Sequence, residues 1–84
     1  MKLLFQSSNG SERVIAEVNS FAEANEEMDK FMEERNFQSY YKRLWQHGDR
    51  VYVDCGSHCE FFVIEPCTME FIHNESFKDG GYND

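Results

Sequence analysis

The sequence predicts a single α+β domain, with one helix packed on a mostly antiparallel sheet and elements in the order ββαβββ. Three observations lead there. An alternating stretch at residues 12–18 follows a turn signal at Asn9-Gly10. A capped amphipathic stretch fills residues 20–36. Three short runs rich in aromatic and β-branched residues come next, separated by turns at 47–49 and 55–58. An apolar helix stripe must bury itself against another element, and an antiparallel meander offers a face for it.

Residues 2–7, Lys-Leu-Leu-Phe-Gln-Ser, read as the first strand. Asn9-Gly10 predicts a type I′ hairpin turn, because both residues tolerate positive φ. In the second strand Val14, Ala16 and Val18 form a uniformly apolar set, opposed by Arg13, Ile15 and Glu17. The first set is therefore expected to face the core. Ser20 and Glu23 make an S-x-x-E capping box. Behind it Phe21, Ala24, Met28, Phe31 and Met32 line up as one helical stripe over residues 20–36. Arg35 suits the negative end of the helix dipole, and Asn36 suits a left-handed stop.

Residues 39–46, 51–54 and 60–65 read as three further strands, the last ended by Pro66. Phe61 and Val63 alternate with Phe62 and Ile64, so both faces of that strand are apolar. This describes a central strand, or one covered on its second face by the tail or a second subunit. The domain is expected to span residues 1–77, with Met69, Phe71, Ile72 and Phe77 available to dock on it. Residues 78–84 read as a flexible tail.

Bulk properties narrow the function. Eighty-four residues make one domain with a thin core and little room for a deep cleft. Forty per cent hydrophobic and 15% aromatic content excludes a disordered chain. Sixteen acidic residues against eight basic ones give a net charge of −8. That field repels phosphate backbones and anionic membranes, so neither direct nucleic-acid binding nor a membrane role is expected. The partner it favours is a protein with a basic surface. Met1-Lys2-Leu3-Leu4-Phe5 is too short for a signal-peptide core, and no run approaches a membrane span. The expectation is a cytoplasmic protein with reduced cysteines.

Four groups of residues could carry chemistry. Cys55, His58, Cys59 and Cys67 are zinc-type ligands within thirteen positions, but their spacing lacks the paired knuckles of structural sites. No metal and no cofactor is expected; the cysteines read as small core hydrophobes. His58 adjoins Cys59, and strand neighbours point to opposite faces, which argues against a Cys–His catalytic pair. With no phosphate loop, nucleophile elbow or H-E-x-x-H helix, the chain reads as a non-enzyme with no catalytic residues.

The third group is the acidic helix face. Glu26, Glu27, Glu33 and Glu34 are regularly spaced carboxylates that could imitate a phosphate array and occupy a basic groove. Alternatively they are an ordinary solvated face. The fourth is the aromatic strand, where Tyr41, Arg43 and Trp45 share one side and Arg50 lies across the next turn. Aromatic and arginine residues dominate binding hot spots, although they are also ordinary sheet residues.

The stretch Gly48-Asp49-Arg50-Val51-Tyr52-Val53-Asp54-Cys55-Gly56-Ser57-His58-Cys59-Glu60-Phe61-Phe62-Val63-Ile64 resembles the D-x-G-S-H/W-x-E/N-F-F-x-I segment of small proteins from phages and prophages of low-GC Gram-positive bacteria. The chain departs from that pattern at Cys55, where an aromatic or aliphatic residue is expected, and at Cys59, where a hydroxyl residue is expected. The resemblance implies a phage-encoded accessory protein in a host cytoplasm and carries over no catalytic residue. The combined expectation is a non-enzymatic acidic protein that binds and modulates or inhibits a host protein. Its sharpest version is an anti-CRISPR or anti-restriction inhibitor of a nucleic-acid-handling enzyme. The alternatives are a small Cys/His metal-binding regulatory domain and a homo-oligomeric structural module, the latter with a second copy as partner.

Overall fold

A computed structural model describes residues 1–37, 41–56 and 59–79, with side chains described as far as residue 75 in the last segment. The chain forms β1 (Lys2–Gln6), β2 (Glu12–Glu17), α1 (Phe21–Glu34), β3 (Arg43–His47), β4 (Arg50–Asp54), β5 (Phe61–Glu65) and α2 (Met69–Asp79). The ββαβββ order and the α+β class hold. The second helix follows the last strand, where the sequence shows only scattered apolar residues. It carries the chain through Asp79; residues 80–84 of the expected tail lie outside the described residues.

All strands join one five-stranded sheet in the order β2-β1-β5-β4-β3, and every pairing is antiparallel. β5 is thus the central strand, as its two apolar faces require. The register aligns Ala16, Leu3, Ile64, Val51 and Gln46 in one row, and Arg13, Phe5, Phe62, Val53 and Leu44 in the next. Both rows share one face. Leu3, Ile64, Val51, Val53 and Phe62 cluster there with Ala24, Met28 and Met32 of α1 and with Ile72 of α2. Phe21 and Phe31 of the helix stripe are only half-buried but pack against this core.

Ser20 caps α1, its Oγ accepting from the Glu23 amide at 3.1 Å. Glu23 closes the box one residue earlier than the motif implies, accepting from the Asn19 amide at 2.9 Å. The helix stops at Asn36, whose φ of 56° is the left-handed stop read from the sequence. Glu75 of α2 accepts from the Phe21 and Ala22 amides at 2.7 and 2.9 Å. The carboxylate thereby satisfies amides of the first turn of α1 and sits at its positive end.

Two details of the first hairpin differ from expectation. Gly10 takes a positive φ of 91°, but Asn9 does not. The Asn9 side chain instead accepts from Ser7 Oγ at 2.7 Å and the Ser11 amide at 2.9 Å, and Gly10 N donates to the Ser7 carbonyl. The turn therefore closes over Ser8 and Asn9 with Gly10 in the left-handed position, rather than as type I′. The register also slips between Leu3 and Leu4, which pair with Ala16 and Val14 respectively, so Ile15 is the extra residue of a β-bulge. Past the bulge the faces exchange. Val14, expected in the core, is 51% exposed, while Ile15 packs against the core.

These assignments separate two substitutions. Met28 is fully buried, so Met28→Ala is expected to lower the unfolding free energy by about 2–5 kcal/mol. Val14→Ala, beyond the bulge, is expected to cost less than about 1 kcal/mol. Urea denaturation of both variants measures this, and equal losses would mean the bulge is misplaced.

Candidate functional site

The second face of the sheet carries no residue of the helix-side cluster. Register places Val14, Leu4, Val63, Tyr52 and Trp45 in one row across all five strands. Leu4 and Val63, in the middle of that row, are nevertheless buried, at 6% and 0% exposure. The same face carries an ion-paired network that spans the strands. Arg50 on β4 reaches Glu65 on β5 through Nε at 2.6 Å. Its Nη atoms reach both carboxylate oxygens of Glu12 on β2, at 2.9 and 3.0 Å. Residues 12, 50 and 65 alternate onto the same face as Leu4 and Val63, so this arginine reaches across β5 and β1 on the face they share.

The pairing fixes the charges. Hydrogen bonding to Glu12, and then to Tyr52, raises the Arg50 pKa, keeping the guanidinium charged. The same bond from Arg50 holds the Glu12 carboxyl below its ordinary value, against the opposing effect of desolvation. Arg50 is thus committed within the sheet and is not the free basic group that its place in the sequence suggests.

Beyond this crossing lies an aromatic patch. Trp45 stacks on Tyr52 with centroids 5.6 Å apart and meets the edge of Phe61 at 5.5 Å. Trp45 remains 38% exposed. Arg43, two residues away on the same strand face, donates to Asp54 Oδ2 at 3.0 Å while its side chain stays 71% exposed. Asp54 is itself buried, and its other oxygen accepts from the Gly56 amide at 2.9 Å.

The sequence-derived site residues therefore divide. Arg43 and Trp45 meet on the helix-free face. Tyr41 precedes β3 and is 52% exposed, with its ring beside Gly56. Glu26, Glu33 and Glu34 are exposed on α1, across the sheet from Trp45, and Glu27 pairs with Lys30 at 3.4 Å. The acidic face and the aromatic face thus point in opposite directions. Tyr52 and Phe61 join the patch without any local signal in their own strands, because it is the strand order that brings them to Trp45.

On the helix side, Phe5 and Phe31 lie 4.8 Å apart and each meets Phe62. Arg35 lies over both Phe5 and Phe31, at 5.1 and 5.2 Å, and Arg13 over Phe31 at 5.7 Å.

Of the zinc-type residues, Cys55 and Cys67 are buried, Cys59 is exposed with a φ of 63°, and His58 lies outside the described residues. All three cysteines are free thiols. Among the described residues no group of His, Cys, Asp and Glu is placed to hold a metal ion, and no helix is long and apolar enough to cross a membrane. Burial raises the Cys67 pKa, holding that thiol protonated.

Comparison with known protein families, with curated proteins and with solved structures gives no match.

Two outcomes test this geometry. A depressed carboxylate pKa contributes stability above the unfolded-state pKa, and that contribution is lost as pH falls through the folded value. Glu12→Gln is therefore expected to destabilise the protein at neutral pH and to flatten the acid limb of its stability profile. An unchanged profile would show that Glu12 and Arg50 are not paired in solution. For the thiols, a disulfide reagent is expected to label Cys59 in the native protein and Cys55 and Cys67 only on unfolding. Rapid native labelling of Cys67, read by mass spectrometry, would contradict its burial.

Proposed function

We propose that this chain is a non-enzymatic protein-binding module whose contact face is the helix-free side of the sheet, centred on Trp45. One observation carries the reading. The single tryptophan is neither buried in the core nor isolated on the surface; it is held rigid by Tyr52 and Phe61 and left 38% exposed. An ordered aromatic beside an anchored arginine is the composition of a binding hot spot. Such a side chain has little conformational freedom left to lose on contact.

The charge of −8 supplies the other half. It favours a partner with a basic surface and accelerates encounter without fixing the final pose. A nucleic-acid-handling enzyme with a basic groove fits that description, and binding there would inhibit it. In this reading the phage-type accessory role implied by the sequence resemblance is the biological setting. A second reading places the contact on α1, since Glu26, Glu33 and Glu34 make no ion pair among the described residues.

The two faces lie on opposite sides of the sheet, so substitutions separate them. Capture from a host lysate is compared for the wild type, for Trp45→Ala, and for the joint reversal of Glu26, Glu27, Glu33 and Glu34 to Lys. Trp45→Ala is expected to lose the captured protein through faster dissociation, by a factor of roughly 30 or more for a hot spot of about 2 kcal/mol. The helix reversal is expected to slow association and weaken its salt dependence. Retained capture by Trp45→Ala, with loss in the helix reversal, would move the contact face to α1.

A further inference from the structure

We infer that the groove between the β1–β2 turn and the C-terminal end of α1 is a binding site for a phosphoryl group, held by Arg13 and Arg35. This inference is independent of the protein-binding reading and concerns the other face of the sheet.

The argument begins with the distribution of charge. Lys30, Lys42, Arg43 and Arg50 are ion-paired. Arg13 and Arg35 make no ion pair among the described residues, although the chain holds sixteen acids. Instead they come from different elements, β2 and the end of α1, and converge on the same ring, Phe31. Both line one groove, and like charges facing one groove repel. The negative face of the aromatic ring attracts each of them and offsets part of that repulsion. An anion between them would remove the rest.

The place has the shape and donors for one. The groove there has a volume of about 290 Å³, lined by Ser7, Ser11, Arg13, Arg35, Glu12 and Glu60 along with Phe5. Both oxygens of Glu12 are taken by Arg50, and no ion pair joins Glu60 to Arg13 or Arg35 among the described residues. Ser7 Oγ donates to Asn9, and the Ser11 hydroxyl makes no hydrogen bond among the described residues.

Guanidinium groups present flat donor forks that match phosphoryl oxygens, and the Ser11 hydroxyl adds a single donor. Held against rings, these forks lose less freedom on binding than arginines extended into water. The chain's acidic field opposes a long polyanion but costs a single compact anion much less, because screening limits its reach to about a Debye length of 8 Å at physiological salt. The ligand class is therefore a lone phosphoryl group, either free phosphate or a phosphate monoester on a small molecule.

The test is a titration of the ¹⁵N-labelled full chain with sodium phosphate at constant ionic strength, followed through the arginine Nε–Hε resonances. Saturable shifts are expected at Arg13 and Arg35 and not at Arg43 or Arg50, whose guanidinium groups are already paired. Arg13→Gln and Arg35→Gln, with their amide spectra confirming the fold, are each expected to weaken phosphate binding roughly tenfold. Phenyl phosphate binding more tightly than inorganic phosphate would identify the monoester as the ligand, and equal binding would identify free phosphate. The inference is overturned if no wild-type shift saturates, if all four arginines respond alike, or if acetate at the same ionic strength binds as well as phosphate.

Discussion

Burial of β5 on the face without helices is the constraint on which the rest of the structure depends. This strand sits between β1 and β4 and is apolar on both sides. On one side α1 and α2 supply the cover. On the other, Val63 reaches 0% exposure on the face that Arg50, Glu12 and Glu65 share. Arg50 spans that face, bonding to Glu65 on β5 and Glu12 on β2. Its aliphatic stem can cover apolar surface while its charged end keeps hydrogen-bond partners. Because those partners lie on β5 and β2, the same side chain ties β4 to a strand that is not its neighbour in the sheet. A small domain with a thin core gains a cross-tie between strands that are not neighbours from one residue.

The parts of this fold that were legible in the sequence are those set by local period. The Ala24–Met28–Met32 stripe and the Ser20 cap depend on spacings of three and four residues, and the structure keeps both. The central place of β5 followed from apolar residues at consecutive positions. What was not legible depends on a one-residue slip or on distant partners. The bulge at Ile15 inverts the alternation of β2, so the pattern that is correct at Val18 is wrong at Val14. The turn was located correctly at Asn9-Gly10, but its type was decided by the Asn9 side chain bonding to Ser7 and Ser11. α2 has a weak apolar stripe of its own, and Glu75 docks it on amides more than fifty residues earlier in the chain. The site follows the same division. Arg43 and Trp45 fall on one side by simple alternation, whereas Tyr52 and Phe61 reach them only through the β5-β4-β3 order.

Charge is sorted by face as well as by amount. The exposed carboxylates of α1 stand on one side of the sheet, where Lys30 and Lys42 answer only part of them. On the opposite side Arg43 and Arg50 are matched to Asp54, Glu12 and Glu65. Unpaired negative charge is thus concentrated on α1, while the arginines of the aromatic face are ion-paired. Paired charges at the rim of an apolar patch are already partly desolvated, so closing a partner over them costs less than burying lone ions. Under the proposed reading, long-range attraction and short-range adhesion fall to different surfaces of one small domain.

The Arg50 network and the aromatic patch are also physically continuous. Arg50 Nη1 lies 3.4 Å from the Tyr52 hydroxyl, and the Tyr52 ring stacks under Trp45 with its plane tilted by only 8°. The tryptophan is therefore positioned by a chain of contacts that begins at Glu12 on the far edge strand. Removing charge from Glu12 or Glu65 would release Arg50 from one end, and the loss would reach the tyrosine before any backbone bond is broken. The hydrophobic residues of the helix side need not move for this to happen, since the two faces are separated by the sheet. The exposed patch is thus linked to the Glu12–Arg50–Glu65 network through the Tyr52 hydroxyl as well as to β5 through Phe61.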